Sequence, residues 1–380
     1  MKPLNSMLSS TIIRCMLPLT GLIVPQAVHA AATTWNATAG AQSDDLGRQG
    51  LAFLPNELWI HAGDSITWTF ATDEAHTVSF LTFSQLRPTT PQDSDIITPS
   101  GSSFDGSAFV NSGELCRNPA LCPPAAGNTY TVEFPTAGNF KLVCLVHLYM
   151  NGRIHVLNPS EALPHDQAFY DREAPDQSDQ LLAAIDRQAD DLDHRGDNEP
   201  KDSPADRVIA GTGEIVATGG GFQTASAMRF FPGTIKVHVG QTVEWTNIDP
   251  QTAHTITFGA DPMGPLRFPV GNAIFSLDSD GALRATVGFP IGDVHSGTLL
   301  ALPADRAVSG PNADLPSNAS CSTSPPSACD PPVLSQFPLP VVVQDLNQRY
   351  RVTFNRTGTF NYHCALHDNL GMLGRVIVVP

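Results

Sequence analysis

The stretch Tyr130–His147, YTVEFPTAGNFKLVCLVH, recurs as Tyr350–His367, YRVTFNRTGTFNYHCALH, at a constant offset of 220 residues. An earlier stretch, Leu54–Trp68, recurs as Phe231–Trp245 at an offset of 177 residues. Similarity at a fixed offset is typical of a duplicated structural unit. The chain is therefore predicted to hold two copies of one domain.

Apolar and polar residues alternate in both copies, as they do in a strand with one buried face. Ile66, Trp68 and Phe70 share a face in the first copy, and Val243 and Trp245 share one in the second. The 30 glycines, 32 prolines and 15% charged residues are typical of an all-β protein with many turns. We predict two tandem Greek-key β-sandwich domains joined by an acidic linker with a short helix.

The 380 residues divide into four predicted segments. These are a signal peptide over 1–30, a first domain over 31–158, a linker over 159–206 and a second domain over 207–380. Residues 161–207 contain 14 Asp or Glu and 5 Lys or Arg. Leu181, Ile185 and Leu192 recur at helical spacing, which predicts a short amphipathic helix near 177–193. The acidic segment has two interpretations, a solvated linker or a docking surface for a basic partner.

The first 30 residues have the pattern of a cleaved secretory signal. Lys2 and Arg14 precede the apolar stretch Met16–Val28, and small residues follow it. That stretch is too short to span a bilayer. We expect a periplasmic or secreted protein without a membrane span. Its formal net charge of −16 at pH 7 argues against a nucleic-acid partner.

Six cysteines follow the signal. Cys116 and Cys122 lie close together, as do Cys321 and Cys329, and in an oxidising compartment each pair predicts a local disulfide. Metal binding by these four is the alternative. Cys144 and Cys364 belong to neither pair. They need a different explanation, because a free thiol in an exported protein is reactive unless it is buried or bound.

Each remaining cysteine begins a short motif that ends on a methionine. A histidine stands three residues after the cysteine in both copies, and a Met-x-Gly-Arg sequence follows, so that the second loop is longer by two residues. A further histidine begins a strand upstream in each copy. The predicted metal ligands are His76, Cys144, His147 and Met150 in the first copy and His254, Cys364, His367 and Met372 in the second.

These four residue types together have a specific chemistry. Two imidazoles and a thiolate with a weak axial thioether form the blue-copper electron-transfer site. A lone histidine at a strand start is usually an ordinary surface residue, and a lone methionine before glycine usually packs in the core. The same four types occur in the same order in both copies, which favours two type 1 copper ions per chain. Because the two loops differ in length, we expect unequal reduction potentials.

Both halves resemble the plastocyanin/azurin family of cupredoxins, whose ligand pattern is similar to His…Cys-x-x-His-x(2 or 4)-Met. The resemblance covers the strands before the upstream histidines and the last third of each half. It implies a cupredoxin fold, bound copper and single-electron transfer between redox partners, for which the acidic surface suggests a basic cytochrome c. The insertions over 82–128 and 258–348 lie outside the resemblance.

Two alternative functions stay open. A multicopper oxidase or nitrite reductase-like enzyme would need an additional copper centre built from further histidines. None of the 12 histidines forms a His-x-His pair. However, His363 lies beside Cys364. In such enzymes a histidine adjacent to the blue-site cysteine carries the electron onward to the catalytic copper. The other alternative is a periplasmic copper buffer or donor. Methionine-rich or histidine-rich tracts, expected for storage, are absent from the sequence.

Overall fold

The computed structural model describes residues 31–82, 97–122, 127–195, 206–259, 276–277, 283–286, 294–296, 299 and 349–380. In the first half the strands are β1 (Thr34–Gln42), β2 (Arg48–Leu54), β3 (Glu57–His61), β4 (Ser65–Phe70), β5 (Ser79–Phe80), β6 (Val110–Asn111), β7 (Thr129–Glu133), β8 (Gly138–Val143) and β9 (Asn151–Leu157). In the second half they are β10 (Asp206–Ala217), β11 (Phe222–Phe231), β12 (Thr234–His238), β13 (Thr242–Ile248), β14 (Thr257–Phe258), β15 (Ser276–Leu277), β16 (Leu283–Thr286), β17 (Val294–His295), β18 (Arg349–Thr353), β19 (Gly358–His363) and β20 (Leu373–Val379). The helix α1 (Gln167–Arg195) lies between the halves in sequence, and a 3₁₀ helix spans Asp368–Leu370.

Each half is a sandwich of two sheets. One ten-stranded sheet has the order β15-β16-β18-β13-β10-β11-β2-β1-β4-β7, and two five-stranded sheets have the orders β3-β9-β8-β5-β6 and β12-β20-β19-β14-β17. Aromatic rings pack between the two sheets of each half. The ring centroids of Trp68 in β4 and Phe80 in β5 are 6.0 Å apart, and those of Trp245 in β13 and Tyr362 in β19 are 5.2 Å apart. Both tryptophans are fully buried, as the alternation predicts. The predicted all-β sandwich class is confirmed.

The two halves share one sheet. Strand β2 of the first half pairs antiparallel with β11 of the second, from Arg48 opposite Ala227 to Leu51 opposite Thr224. Backbone hydrogen bonds therefore run from one half into the other, because β2 and β11 are neighbours in the ten-stranded sheet. The sequence predicts two domains connected by a linker and gives no sign of this shared sheet.

The helix is longer than predicted and is packed rather than solvated. It begins at Gln167, ten residues before the predicted start, and continues through Pro175. Its buried face includes Leu181 and Ile185, which lie in one apolar cluster with residues of β1, β2 and β11 from both halves. The interpretation of 159–206 as a solvated linker is therefore wrong for the helical part. Exposed acidic residues occupy the opposite face of the helix.

Several predictions fall wholly or partly outside the described residues. They are the signal peptide, the tether over 197–206 up to Ala205, part of the insertion over 82–128, most of the insertion over 258–348, and the Cys321–Cys329 disulfide. The other predicted disulfide, Cys116–Cys122, is present. Among the described residues, no helix combines the length and apolar character needed to cross a membrane.

Candidate metal centres

The first candidate centre joins three buried side chains of the first half. The Nδ1 atoms of His76 and His147 lie 3.0 Å apart, and Sγ of Cys144 lies 3.7 Å from Nδ1 of His147. All three residues are at most 3% exposed. Their ligand atoms lie within 4.8 Å of one another, close enough to surround one metal ion.

The second centre repeats this arrangement. The Nδ1 atoms of His254 and His367 lie 3.1 Å apart. Sγ of Cys364 lies 3.4 Å from Nδ1 of His367 and 3.9 Å from Nδ1 of His254. Within the part of the chain that the structure describes, these are the two groups of three or more His, Cys, Asp or Glu residues placed to hold a metal ion.

A loop between two strands presents three of the four predicted ligands in each half. In the first half, β8 ends one residue before Cys144, and the Cys144 N–H donates to the Met150 carbonyl at 3.0 Å. In the second, the Cys364 N–H donates to the Met372 carbonyl at 3.1 Å. Both methionines are fully buried. The loop closure therefore brings each methionine back beside its cysteine.

The longer second loop uses its two extra residues in a turn of 3₁₀ helix. That turn spans Asp368–Leu370 and ends at Gly371, whose φ of 83° lies in the left-handed region that favours glycine. The two centres thus have the same ligand types on loops of different shape.

The upstream histidines are fixed by backbone pairing with the insertions. The His76 N–H and carbonyl bond to Leu115 at 2.9 Å each, and His254 bonds in the same way to Leu299 at 2.9 and 2.7 Å. Leu115 precedes Cys116, so the disulfide loop begins beside the first centre. One role of the insertions is therefore to hold the upstream histidine, the distant predicted ligand, in place.

Two glycines that sequence reasoning missed make room for the upstream imidazoles. Gly40 and Gly211 have φ of 80° and 82°, and the strand register shifts at each of them. A Cβ on Gly40 would lie 2.8 Å from Nε2 of His76, and one on Gly211 would collide with the His254 ring. A glycine inside a strand pattern often marks a bulge or a close approach. That signal could have drawn attention to both positions.

Backbone and hydroxyl groups surround each sulfur in the same way. The Thr77 N–H donates to Cys144 Sγ at 3.4 Å, and the Thr255 N–H donates to Cys364 Sγ at 3.3 Å. Each threonine Oγ1 in turn accepts the N–H of the residue after the cysteine, at 2.7 and 2.8 Å. Hydrogen bonds to a thiolate ligand stabilise its charge and tune a metal site.

Both cysteines are held in the thiolate state. Burial alone would raise the pKa of Cys144, but hydrogen bonds from His147 and His76 outweigh it and hold the pKa well below its usual range. For Cys364 the charge of His367 and hydrogen bonds from both histidines have the same effect against burial. Thiolate is the form that binds metals.

One histidine in each centre has a raised pKa. Burial acts to lower the pKa of His147, but Cys144 and Glu74 raise it to about 9. Burial likewise opposes the shift at His254, where Asp249 and Cys364 raise the pKa to about 9. Each cluster therefore contains a thiolate and an imidazolium when no metal is bound. A bound metal cation would take the place of the imidazolium proton beside the thiolate.

The donor set fits a copper ion. Metal bonds to imidazole are about 2.0 Å long and those to thiolate about 2.3 Å, so one ion between the two Nδ1 atoms and Sγ reaches all three. A soft thiolate and thioether favour Cu(I), and imidazole accepts both oxidation states. Burial of all the predicted ligands excludes water from the site.

Comparison with known proteins favours copper over other thiophilic metals. Residues 41–157 match the family model of copper binding proteins of the plastocyanin/azurin family. This part of the chain is similar to plastocyanin/azurin-type copper-binding proteins. The second half repeats the domain's ligands and surrounding hydrogen bonds at equivalent positions. No curated protein matches the sequence.

Solved cupredoxin structures also resemble the chain. A purple cupredoxin from Nitrosopumilus maritimus is 16% identical, with 46% of this chain and 99% of that chain covered and a TM-score of 0.20. A reduced amicyanin variant is 17% identical over 48% of this chain and 89% of its own, with a TM-score of 0.19. A fern plastocyanin variant is 16% identical over 46% and 99%, with a TM-score of 0.18. At these values the likenesses carry no argument about this chain's function.

The other described histidines have separate environments. His155 bonds to Asn139 and Glu57 and stacks on Trp59, which is a structural role in the core. His363 lies at the end of β19, opposite Thr257 of β14. Its Nε2 atom is buried and has no hydrogen-bond partner among the described residues.

Proposed function

We propose that this chain binds two type 1 copper ions and passes single electrons between redox partners. The observation that carries the proposal is the pair of equivalent centres, each with two imidazole Nδ1 atoms and one thiolate sulfur within 4.8 Å and fully enclosed. One such centre lies in the stretch 41–157, which matches the model of a copper-binding family. Bound copper would supply the one-electron change between Cu(I) and Cu(II).

The protein's own groups support this chemistry in three ways. Burial excludes water and larger ligands from the metal. The Thr77 and Thr255 N–H groups stabilise the thiolates. Strands on both sides of each ligand loop fix the ligand positions, so that little rearrangement accompanies a change of oxidation state. These are properties of a centre that accepts and releases an electron without transforming a substrate.

The proposed partner is a basic redox protein, such as a cytochrome c. The exposed face of α1 supports this proposal, since it carries Asp176, Asp179, Asp186, Asp190 and Asp191. Opposite charges steer weak and rapid encounters, which salt screens. We also propose that the mature protein is periplasmic or secreted, in agreement with the signal-like pattern over 1–30.

Metal analysis with visible and paramagnetic spectra tests the proposed function. The purified protein should hold copper, show intense blue colour when oxidised and lose that colour on reduction. Electron exchange with a basic cytochrome c should slow as ionic strength rises. Colourless Cu(I) that exchanges readily would overturn the proposal and favour a copper buffer or donor.

One observation favours a second candidate, a copper-dependent oxidoreductase. His363 is adjacent to the ligand Cys364, and its buried Nε2 has no partner among the described residues. An enzyme of this kind would hold a third copper ion and turn over nitrite or oxygen. His363→Ala would then abolish turnover and leave the blue colour unchanged, whereas a carrier shows no such turnover in the unaltered protein.

A further inference from the structure

A single carboxylate lies between the two metal centres. Oε1 of Glu74 is 3.3 Å from Nε2 of His147, and Oε2 is 3.8 Å from Nε2 of His367. The two histidines belong to different halves and different centres. The Glu74 side chain is 12% exposed, and the two imidazoles are 4% and 5% exposed. An enclosed polar contact therefore joins residues of the two centres.

The segment that carries Glu74 is held firmly. The Asp73 N–H donates to Gln42 Oε1 at 2.8 Å, and the Asp73 carboxylate binds Arg117 at 3.1 and 2.5 Å. The Glu74 carbonyl accepts the Thr72 hydroxyl at 3.0 Å. His76, a ligand of the first centre, follows two residues later. The position of the carboxylate is thus fixed by the same segment that places a metal ligand.

The second half makes a related contact in the opposite direction. Gln251 lies three residues before His254, much as Glu74 lies two residues before His76, and its Oε1 accepts the Tyr149 N–H at 2.6 Å. Tyr149 lies in the ligand loop of the first half. Each half therefore places the segment before its upstream histidine against the other half's ligand loop. The two loops face each other, and Glu74 contacts predicted ligand side chains of both.

The Glu74 carboxylate can accept hydrogen bonds from imidazoles of both metal centres at once. Each histidine turns Nδ1 toward its cysteine, which leaves Nε2–H as a donor toward Glu74 when a metal is bound. A carboxylate can accept from two donors at once, one through each oxygen. Partners of this kind fix the orientation of a ligating imidazole and tune its metal.

We propose that Glu74 joins the two centres into one unit in which an electron passes from copper to copper inside the chain. This inference rests on the proposed function. Bound copper would supply the Cu(I)/Cu(II) couple at both centres, so that one copper would be oxidised as the other is reduced, with no bond formed or broken and no proton transferred. Glu74 is a positioning residue in this unit, since it contacts the ligands and not the metals.

The first test examines the contact itself and does not depend on copper. In protein loaded with Zn²⁺ at both centres and labelled with ¹⁵N-histidine, the Nε2–H signals of His147 and His367 should be protected from solvent exchange. Both should shift and exchange faster in Glu74→Ala. In Glu74→Gln one of the two should change more, because the amide has only one acceptor oxygen. Unchanged signals in Glu74→Ala would overturn the proposal.

The second test measures electron transfer. After rapid reduction of a fraction of the oxidised copper protein, the colours of the two centres should re-equilibrate at a rate independent of protein concentration. This rate should fall severalfold in Glu74→Ala. Glu57→Gln is the matched control, because Glu57 contacts Nε2 of the non-ligand His155 at 2.7 Å. That variant should leave the rate unchanged.

The outcomes separate this inference from the proposed function. A rate that rises in proportion to protein concentration means transfer between molecules, and it contradicts the inference while the blue-copper function stands. An unchanged rate in Glu74→Ala also contradicts the inference and leaves the blue-copper function standing. If the protein holds no copper, the proposed function fails, but the Zn²⁺-loaded spectra still decide whether Glu74 joins the two centres.

Discussion

Gln49 in β2 pairs with Ser226 in β11, and the two residues occupy the same position in their respective copies, 177 residues apart. On either side the pairing is reciprocal: Arg48 faces Ala227 and Gly50 faces Ala225. Reciprocal contacts between equivalent positions are those of a twofold symmetric dimer interface. The two halves therefore meet as two subunits of a dimer would, and this relation brings their ligand loops together.

Gly211→Ala should remove copper from the second centre alone. An added Cβ at this position would collide with the His254 ring, in addition to the cost of a left-handed φ. The copper content should fall from two ions per chain to one. Gly240→Ala is the control, because Gly240 has φ of 90° but no atom within 4 Å of the added Cβ. If both variants keep two ions, Gly211 has no role in placing His254.

Copper binding at pH 7 should release about two protons per chain. His147 and His254 each have a pKa of about 9 in the metal-free protein, so each carries a proton that the metal must displace. The two cysteines contribute none, since their pKa values are already well below the usual range. Affinity should therefore rise with pH up to about 9 and then level off.

Calorimetry in buffers of different ionisation enthalpy measures this proton release. Release of about four protons at pH 7 would mean that the thiols are protonated as well. That result would contradict the thiolate–imidazolium pairs.

Ile185→Ala should destabilise the folded protein by about 2–5 kcal/mol, the usual cost of removing a large buried side chain. Ile185 is fully buried in the cluster that joins α1 to strands of both halves. Arg187→Ala changes an exposed residue of the same helix and should alter the free energy of unfolding by less than about 0.5 kcal/mol. Urea unfolding compares the two. Equal effects would mean that the helix is not packed on the sheet.

The two centres should have unequal midpoint potentials. Their loops differ by two residues, and Glu74 lies 3.3 Å from His147 whereas Asp249 lies 3.9 Å from His254. Different partners on the imidazoles change the stability of the oxidised state differently. A redox titration followed by the blue absorption should show two steps. A single step with one midpoint would contradict this prediction.

The sequence predicts the parts of the fold that depend on local patterns. Alternation gives the buried faces of β4 and β13, and the repeat gives the residues that the structure brings together, such as Cys144 and His147. The alternation of apolar and polar residues shows which face of a strand is buried, but not which strand lies next to it. The pairing of β2 with β11 was therefore not predictable. Glu74 escaped notice for the same reason, because its importance depends on a contact across the halves.

The helix shows a different limit. Helical spacing of the apolar residues starts at Leu181, and Pro175 argues against a helix before it. Tyr170 overrides this preference: its ring is buried, and its hydroxyl accepts the Trp59 N–H at 2.8 Å. Tertiary packing thus extends the helix beyond the local signal.

The copper-to-protein ratio, measured together with the paramagnetic spectrum, tests the central claim most directly. We expect two copper ions per chain in the unaltered protein, both with type 1 spectra, and one in Cys144→Ser and in Cys364→Ser. The single-site variants should each keep the spectrum of the remaining centre. One copper ion in the unaltered protein, or loss of both from either variant, would contradict two separate copper centres.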